Sequence, residues 1–162
     1  MVARLMAAML VLAAGGAEAQ TQNNYLDGLR SLDLKISHSV EDGCWPRPAE
    51  TRQDVQLELI QSEISYNKNS NTIMEIAGVG FATRGAGNQC VLRYDVIIHD
   101  CVYVKLSYAK KPKFACYTIW RLGATTIASK ARSQSHINKG ILKITRKFLF
   151  DFEMDRLGRK QP

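Results

Sequence analysis

The sequence predicts an α+β domain in the order β-α-β-β-β-α, a mostly antiparallel sheet with two helices on one face, stabilised by disulfides. Three observations carry this. The stretch CVLRYDVIIHDCVYVKLSY, from Cys90 to Tyr108, places Leu92, Tyr94, Val96, Ile98, Val102, Val104, Leu106 and Tyr108 on one face. Arg93, Asp95, His99, Cys101 and Lys105 take the other. A period of two in β-branched and aromatic residues is the signature of a strand with one buried face. Near the C-terminus Ile137, Ile141, Ile144, Phe148 and Phe152 recur at helical spacing, which marks an amphipathic helix. Four cysteines, Cys44, Cys90, Cys101 and Cys116, follow an export signal, and an even number in an exported chain reads as a disulfide framework.

The export signal is residues 1–19. Arg4 supplies the positive n-region, LMAAMLVLAA the apolar h-region and Ala17-Glu18-Ala19 the A-x-A cleavage site. The apolar run is too short for a spanning helix, so cleavage after Ala19 is expected rather than a retained anchor. No cysteine follows it for lipid attachment, and no later segment is apolar enough to cross a membrane as a helix. Residues 20–158 then form one α+β domain, and 159–162 a disordered tail.

After a polar start, LDLKISHSV alternates from Leu32 to Val40 and reads as the first strand. Gly43 and Pro46 interrupt it. A helix follows over about 49–63, with Pro48 in its first turn, Glu50 and Asp54 toward its N-terminal end, and Val55, Leu59 and Ile60 as a stripe that Leu57 and Ile64 widen. Residues 66–71 carry turn chemistry. In the second strand, 72–83, Ile73, Ala77, Val79 and Phe81 share one face; Gly78 and Gly80 on the other indicate a bulge or close approach. Residues 84–89 are a hairpin loop into the third strand, 90–108.

Nineteen residues extended would exceed ~60 Å, against ~20 Å for an ordinary strand, so a bend is expected near His99-Asp100. A turn at 109–112 leads to a fourth strand, 113–122, which Gly123 ends. A polar connection with room for a short strand precedes the last helix, from about 135, capped by Ser133 or Ser135. Leu142 and Leu149 widen its stripe. Gly140 weakens it and marks close contact with the sheet. Arg156 and Gly158 supply the C-terminal signals.

Strand, helix, strand implies a crossover with the first two strands parallel; the remaining strands form an antiparallel meander. That topology brings Cys44 to the end where Cys90 enters the third strand, and Cys101 beside Cys116. Cys90–Cys101 is excluded on one extended strand, because bridged Cα atoms lie within ~7 Å. Cys44–Cys101 with Cys90–Cys116 stays open.

The pieces LRSLDLKISHSV, DVQLELIQSEI, the long strand, TIWRLG and ILKITRKFLFDF span most of the mature chain. They look like segments of small uncharacterised exported bacterial proteins. The strand–helix–three strands–helix order is similar to that of the lipopolysaccharide-assembly lipoprotein that plugs the outer-membrane translocon. The sequence departs from that family in lacking the acylated cysteine, and a shared fold order implies no shared role.

No catalytic signature is present: no nucleophile elbow, phosphate loop or dinucleotide fingerprint. Neither a metal site nor a cofactor is expected, since the cysteines lack C-x-x-C spacing and the histidines, His38, His99 and His136, lack ligand spacing. His38 reads as a core or edge histidine. His99 with Asp95 and Cys101 shares a strand face, where a Cys-His nucleophile competes with a disulfide-bonded Cys101 beside a surface histidine.

The net charge is +7 and is kept after cleavage, because Arg4 and Glu18 cancel. The candidate basic binding surface is Lys110, Lys111 and Lys113 at the turn with Lys139, Lys143, Arg146 and Lys147 on the last helix. Tyr103, Tyr108, Tyr117 and Trp120 are a candidate aromatic platform; a solvated face and core packing are the competing readings. The expectation is a periplasmic or secreted, non-catalytic cell-envelope domain that binds an envelope protein or an anionic lipid or glycan. Nucleic acid is excluded on address and on the lack of a recognition motif. The alternative is an exported enzyme or enzyme inhibitor whose site converges in space.

Overall fold

Each periodic stretch of the sequence becomes a regular element in the computed structural model, which describes Leu26, residues 28–83 and residues 88–158. The predicted signal (1–19), most of the predicted loop at 84–89 and the predicted tail (159–162) lie outside the described residues. The described chain runs β1 (Ser31–Val40), α1 (Pro48–Ile60), β2 (Ser65–Tyr66), β3 (Thr72–Ala82), β4 (Gln89–Val104), β5 (Lys113–Ser129) and α2 (Lys130–Arg156). The strands form one sheet in the order β2-β1-β3-β4-β5. β1 pairs parallel with β3, as the crossover reading requires, and the long β3–β4 and β4–β5 ladders are antiparallel.

One contiguous core lies between the helices and the inner face of the sheet. Leu32 and Leu34 enter it from β1, Met74 and Ile76 from β3, and Leu92, Val96 and Ile98 from β4, all essentially inaccessible. The glycine-bearing face of β3 is therefore the covered one, and Val79 and Phe81 are half-exposed on the opposite face. The glycines of β3 mark close approach rather than a bulge: a Cβ on Gly78 would sit 2.4 Å from the Trp45 ring. From α2 the predicted stripe, Ile137, Ile141, Ile144, Phe148 and Phe152, is buried throughout.

Several boundaries differ from the sequence reading. α1 ends at Ile60, and Ile64, buried just beyond it, steers the chain into the two-residue strand β2 beside β1. Residue 66 was expected in a turn. Only Val55 and Leu59, with Thr51, face inward from α1, whereas Leu57 and Ile60 are exposed. β4 stops at Val104, and its irregularity falls between Ile98 and His99. Ile98 faces Trp120 and His99 faces Thr118, so Ile119 of β5 is the extra residue of a β-bulge.

β5 does not end at Gly123. It continues to Ser129 with β-branched Thr125, Thr126 and Ile127. Gly123 is required by a neighbour across the ladder: a Cβ there would lie 2.3 Å from Asp95 Oδ1. α2 consequently begins at Lys130, with Ser129 as N-cap but no side-chain capping bond. Ser133 caps nothing; its hydroxyl donates to the Lys130 carbonyl.

Both disulfides follow the topological pairing, and the open alternative is removed. Cys44–Cys90 spans 46 positions and Cys101–Cys116 spans 15. The first is fully buried at the start of β4. The second joins residues that face each other across the β4–β5 ladder.

Candidate binding surface

β4 is longer than its partner on the inner side of the sheet, and this builds the most exposed feature of the described molecule. β3 begins at Thr72, opposite Asp100. There Asp100 accepts hydrogen bonds from the hydroxyls of Thr72 (3.2 Å) and Tyr117 (2.8 Å), and the Cys101 N–H donates to the Asn71 carbonyl. Past that row only β4 and β5 continue, as a two-stranded ribbon with rungs Cys101–Cys116, Val102–Ala115, Tyr103–Phe114 and Val104–Lys113. A two-stranded hairpin is marginal in water by itself. The Cys101–Cys116 bridge closes this one at its root.

Alternation puts Tyr103 and Phe114 on the disulfide's face of the ribbon, with ring centroids 5.2 Å apart and planes tilted 57°. Tyr103 is 75% exposed, Tyr108 84% and Phe114 55%. Lys105, Lys110, Lys111 and Lys113 are exposed in the same segment, and residues 101–116 contain no carboxylate side chain. Cation and aromatic therefore alternate around the tip without internal neutralisation.

The predicted basic residues fall into two groups. Lys110, Lys111 and Lys113 belong to the ribbon. The others lie on α2, whose late turns reach only as far as Trp120: that indole packs on Phe148 (centroids 5.3 Å) and donates to Asp151 at 3.1 Å. From Trp120 to Lys113 the strand runs on for another ~20 Å at ~3.3 Å per residue. On α2, Arg146 forks onto Glu58, Nη2 at 2.5 Å and Nε at 3.1 Å. The hydrogen bond from Arg146 holds the Glu58 carboxyl below its ordinary range, and Glu58 raises the Arg146 pKa in return. Lys147 pairs with Asp151 and sits 5.3 Å from the Phe150 centroid. Lys139 and Lys143 are exposed.

The aromatic platform is regrouped too. Trp120 is a core residue, 4% exposed, and Tyr117 is tied to Asp100. Phe114 takes their place beside Tyr103. The sequence held a signal for it: pairing Cys101 with Cys116 sets a register in which 103 opposes 114.

The other histidine-centred chemistry dissolves. His99 contacts Glu75 (Nε2–Oε2 3.2 Å) and Thr118 (Nδ1–Oγ1 3.3 Å), whereas Asp95 binds Arg93 and Arg121. Cys101 is spent in its disulfide, so it is no thiolate nucleophile. His38 is exposed, its ring 5.4 Å from that of Trp45, on the part of β1 that pairs with β3 alone, so it is an edge histidine and not a core one. Among the described residues no group of three His, Cys, Asp or Glu side chains could hold a metal ion, and no helix is long and apolar enough to cross a membrane.

The fold and surface define a disulfide-stabilised α+β domain with a projecting cationic ribbon. No protein-family model matches the chain, and no curated protein sequence matches it. Among solved structures, the chain is similar to a minor lipoprotein from Acinetobacter baumannii, with 12% identity, a TM-score of 0.40, and coverage of 82% of this chain and 97% of that one. A likeness at this level assigns neither family nor role.

Proposed function

We propose that the protein is an exported, non-catalytic binding domain of the cell envelope, periplasmic or secreted, whose working surface is the ribbon at 101–116. The observation that carries this is the ribbon itself: a bridged two-stranded extension with four lysines, three exposed aromatic rings and no carboxylate. Exposed large apolar side chains beyond a scattered few mark interaction surfaces, and an unneutralised basic segment attracts an anionic partner. Two closed disulfides are the chemistry of an oxidising compartment, which supports the export reading of residues 1–19. The α2 cations contribute less to such a surface, because Arg146 and Lys147 are already ion-paired.

The test is fractionation of cells producing the tagged full chain, with thiol alkylation before reduction. The expected result is alkylation-resistant protein outside the cytosol, retained by the envelope fraction at low salt. The triple variant Lys110→Gln, Lys111→Gln, Lys113→Gln should lose that retention while keeping both disulfides. Cytosolic protein with reactive thiols, or a triple variant retained as well as the parent, would overturn the reading.

A further inference from the structure

We propose that the ribbon tip docks on the surface of an anionic phospholipid bilayer, with Tyr103, Tyr108 and Phe114 seated among the headgroups and Lys105, Lys110, Lys111 and Lys113 on the phosphates. This rests on the reading of the ribbon as the binding surface and goes further by naming what it meets.

The geometry favours a bilayer over a folded partner. A folded partner would have to offer a cleft shaped to the tip. Here the exposed groups surround the tip: Tyr103 and Phe114 stand on one face of the ribbon, Lys113 on the other, and Tyr108, Lys110 and Lys111 in the connecting loop. A headgroup layer receives such a tip from all sides. Each side-chain type also matches a depth. Tyrosine places an apolar ring against the acyl boundary and its hydroxyl in water. Lysine lays its methylenes along apolar surface and carries its ammonium to the phosphate. Charge complementarity fixes the sign of the surface, since the segment holds four lysines and no carboxylate. The disulfide at the root preserves the two-stranded form, so little ordering entropy is lost on docking.

The experiment is co-sedimentation of the oxidised full-length mature protein with vesicles of phosphatidylethanolamine containing 0 or roughly 30% phosphatidylglycerol, a range in which surface charge dominates. Binding is expected on the anionic vesicles only and should weaken as salt rises. At roughly fivefold per lysine, the triple glutamine variant should bind on the order of a hundredfold more weakly. Tyr108→Ser, in an 84%-exposed loop position where folding is not at stake, should weaken binding without changing its salt dependence. Equal binding to neutral vesicles, or no effect of the lysine variant, would overturn the proposal. So would an absence of vesicle binding by a protein whose envelope retention still requires the three lysines. In that case the ribbon remains the binding surface and its partner is a protein or glycan. Loss of both would overturn both readings.

Discussion

Thr145 is wholly buried on α2, and its hydroxyl has no hydrogen-bond partner among the described residues. An unsatisfied buried hydroxyl costs about 1–3 kcal/mol, and removing it in a side chain of the same shape recovers part of that cost. Thr145→Val should therefore raise the urea midpoint, equivalent to about 1 kcal/mol, with the helix propensities of the two residues nearly equal. Gly140 gives the opposite lesson. Alanine there ordinarily adds up to ~1 kcal/mol to a helix, yet its Cβ would fall 1.8 Å from the hydroxyl oxygen of Tyr94. Overpacking of this kind costs about 1–3 kcal/mol. Gly140→Ala should be destabilising in the parent and less so in a Tyr94→Phe background, where the colliding oxygen is gone. Glu58 adds a pH dependence. Its pKa is lowered from 4.5 in the folded chain, with the Arg146 hydrogen bond as the largest cause. Its contribution is therefore complete above the unfolded value and is lost as pH falls through the folded one. In urea titrations, the stability gap between the parent and Glu58→Gln should be present at pH 7 and close below pH ~4.5, by a small amount because the pair is solvent-screened.

At the scale of elements, the two disulfides act on different units. Chain-entropy reasoning assigns about 4 kcal/mol to the bridge closing 46 positions and about 3 to the one closing 15. Their locations widen that difference. Cys44 and Cys90 are in the core, so replacing both with alanine should lower the global melting temperature. Replacing Cys101 and Cys116 should cost less global stability but raise amide exchange across 102–115, because the ribbon can open without the core. Comparable exchange in both variants would show that ribbon and sheet unfold together. The legible parts of the fold were those where side-chain period alone decides: the even-numbered face of β4 and the five-residue stripe of α2. The illegible parts were decided by a neighbour distant in sequence. Gly123 looked like a strand terminus because the Asp95 carboxylate that demands it lies on another strand. β2 exists only because β1 offers an edge. The start of α2 carries no capping bond to announce it. The ribbon's lysines were visible in the sequence, but its projection depended on where β3 begins relative to β4.

For the whole molecule, the decisive fact is that the last element covers the two strands that precede it and clasps α1. α2 supplies Ile137, Ile141, Ile144, Phe148 and Phe152 to a core whose sheet side includes Leu92, Val96 and Ile98. It also supplies Gln134 and Asn138, which hold α1 through Thr51, Asp54 and the Arg47 backbone. Burial of an aliphatic or aromatic side chain contributes about 1.5–3 kcal/mol, so those five represent roughly 8–15 kcal/mol before entropic costs. That equals the net stability of an ordinary domain, about 5–15 kcal/mol. Without α2 the inner face of β4 and β5 is an apolar surface open to water. The helix is therefore a condition for the sheet rather than an addition to it, and the domain should complete folding only after residue 156 or so is available. A chain ending at Ser129 retains all four cysteines and every strand, yet it should show no cooperative urea transition, should bind a hydrophobic dye and should yield mispaired disulfides on oxidation. Adding back a peptide of residues 130–158 during oxidation should restore the Cys44–Cys90 and Cys101–Cys116 pattern. A truncated chain that melted cooperatively with native pairing would show that β-sheet pairing and the bridges suffice, and that α2 is an accessory to the fold.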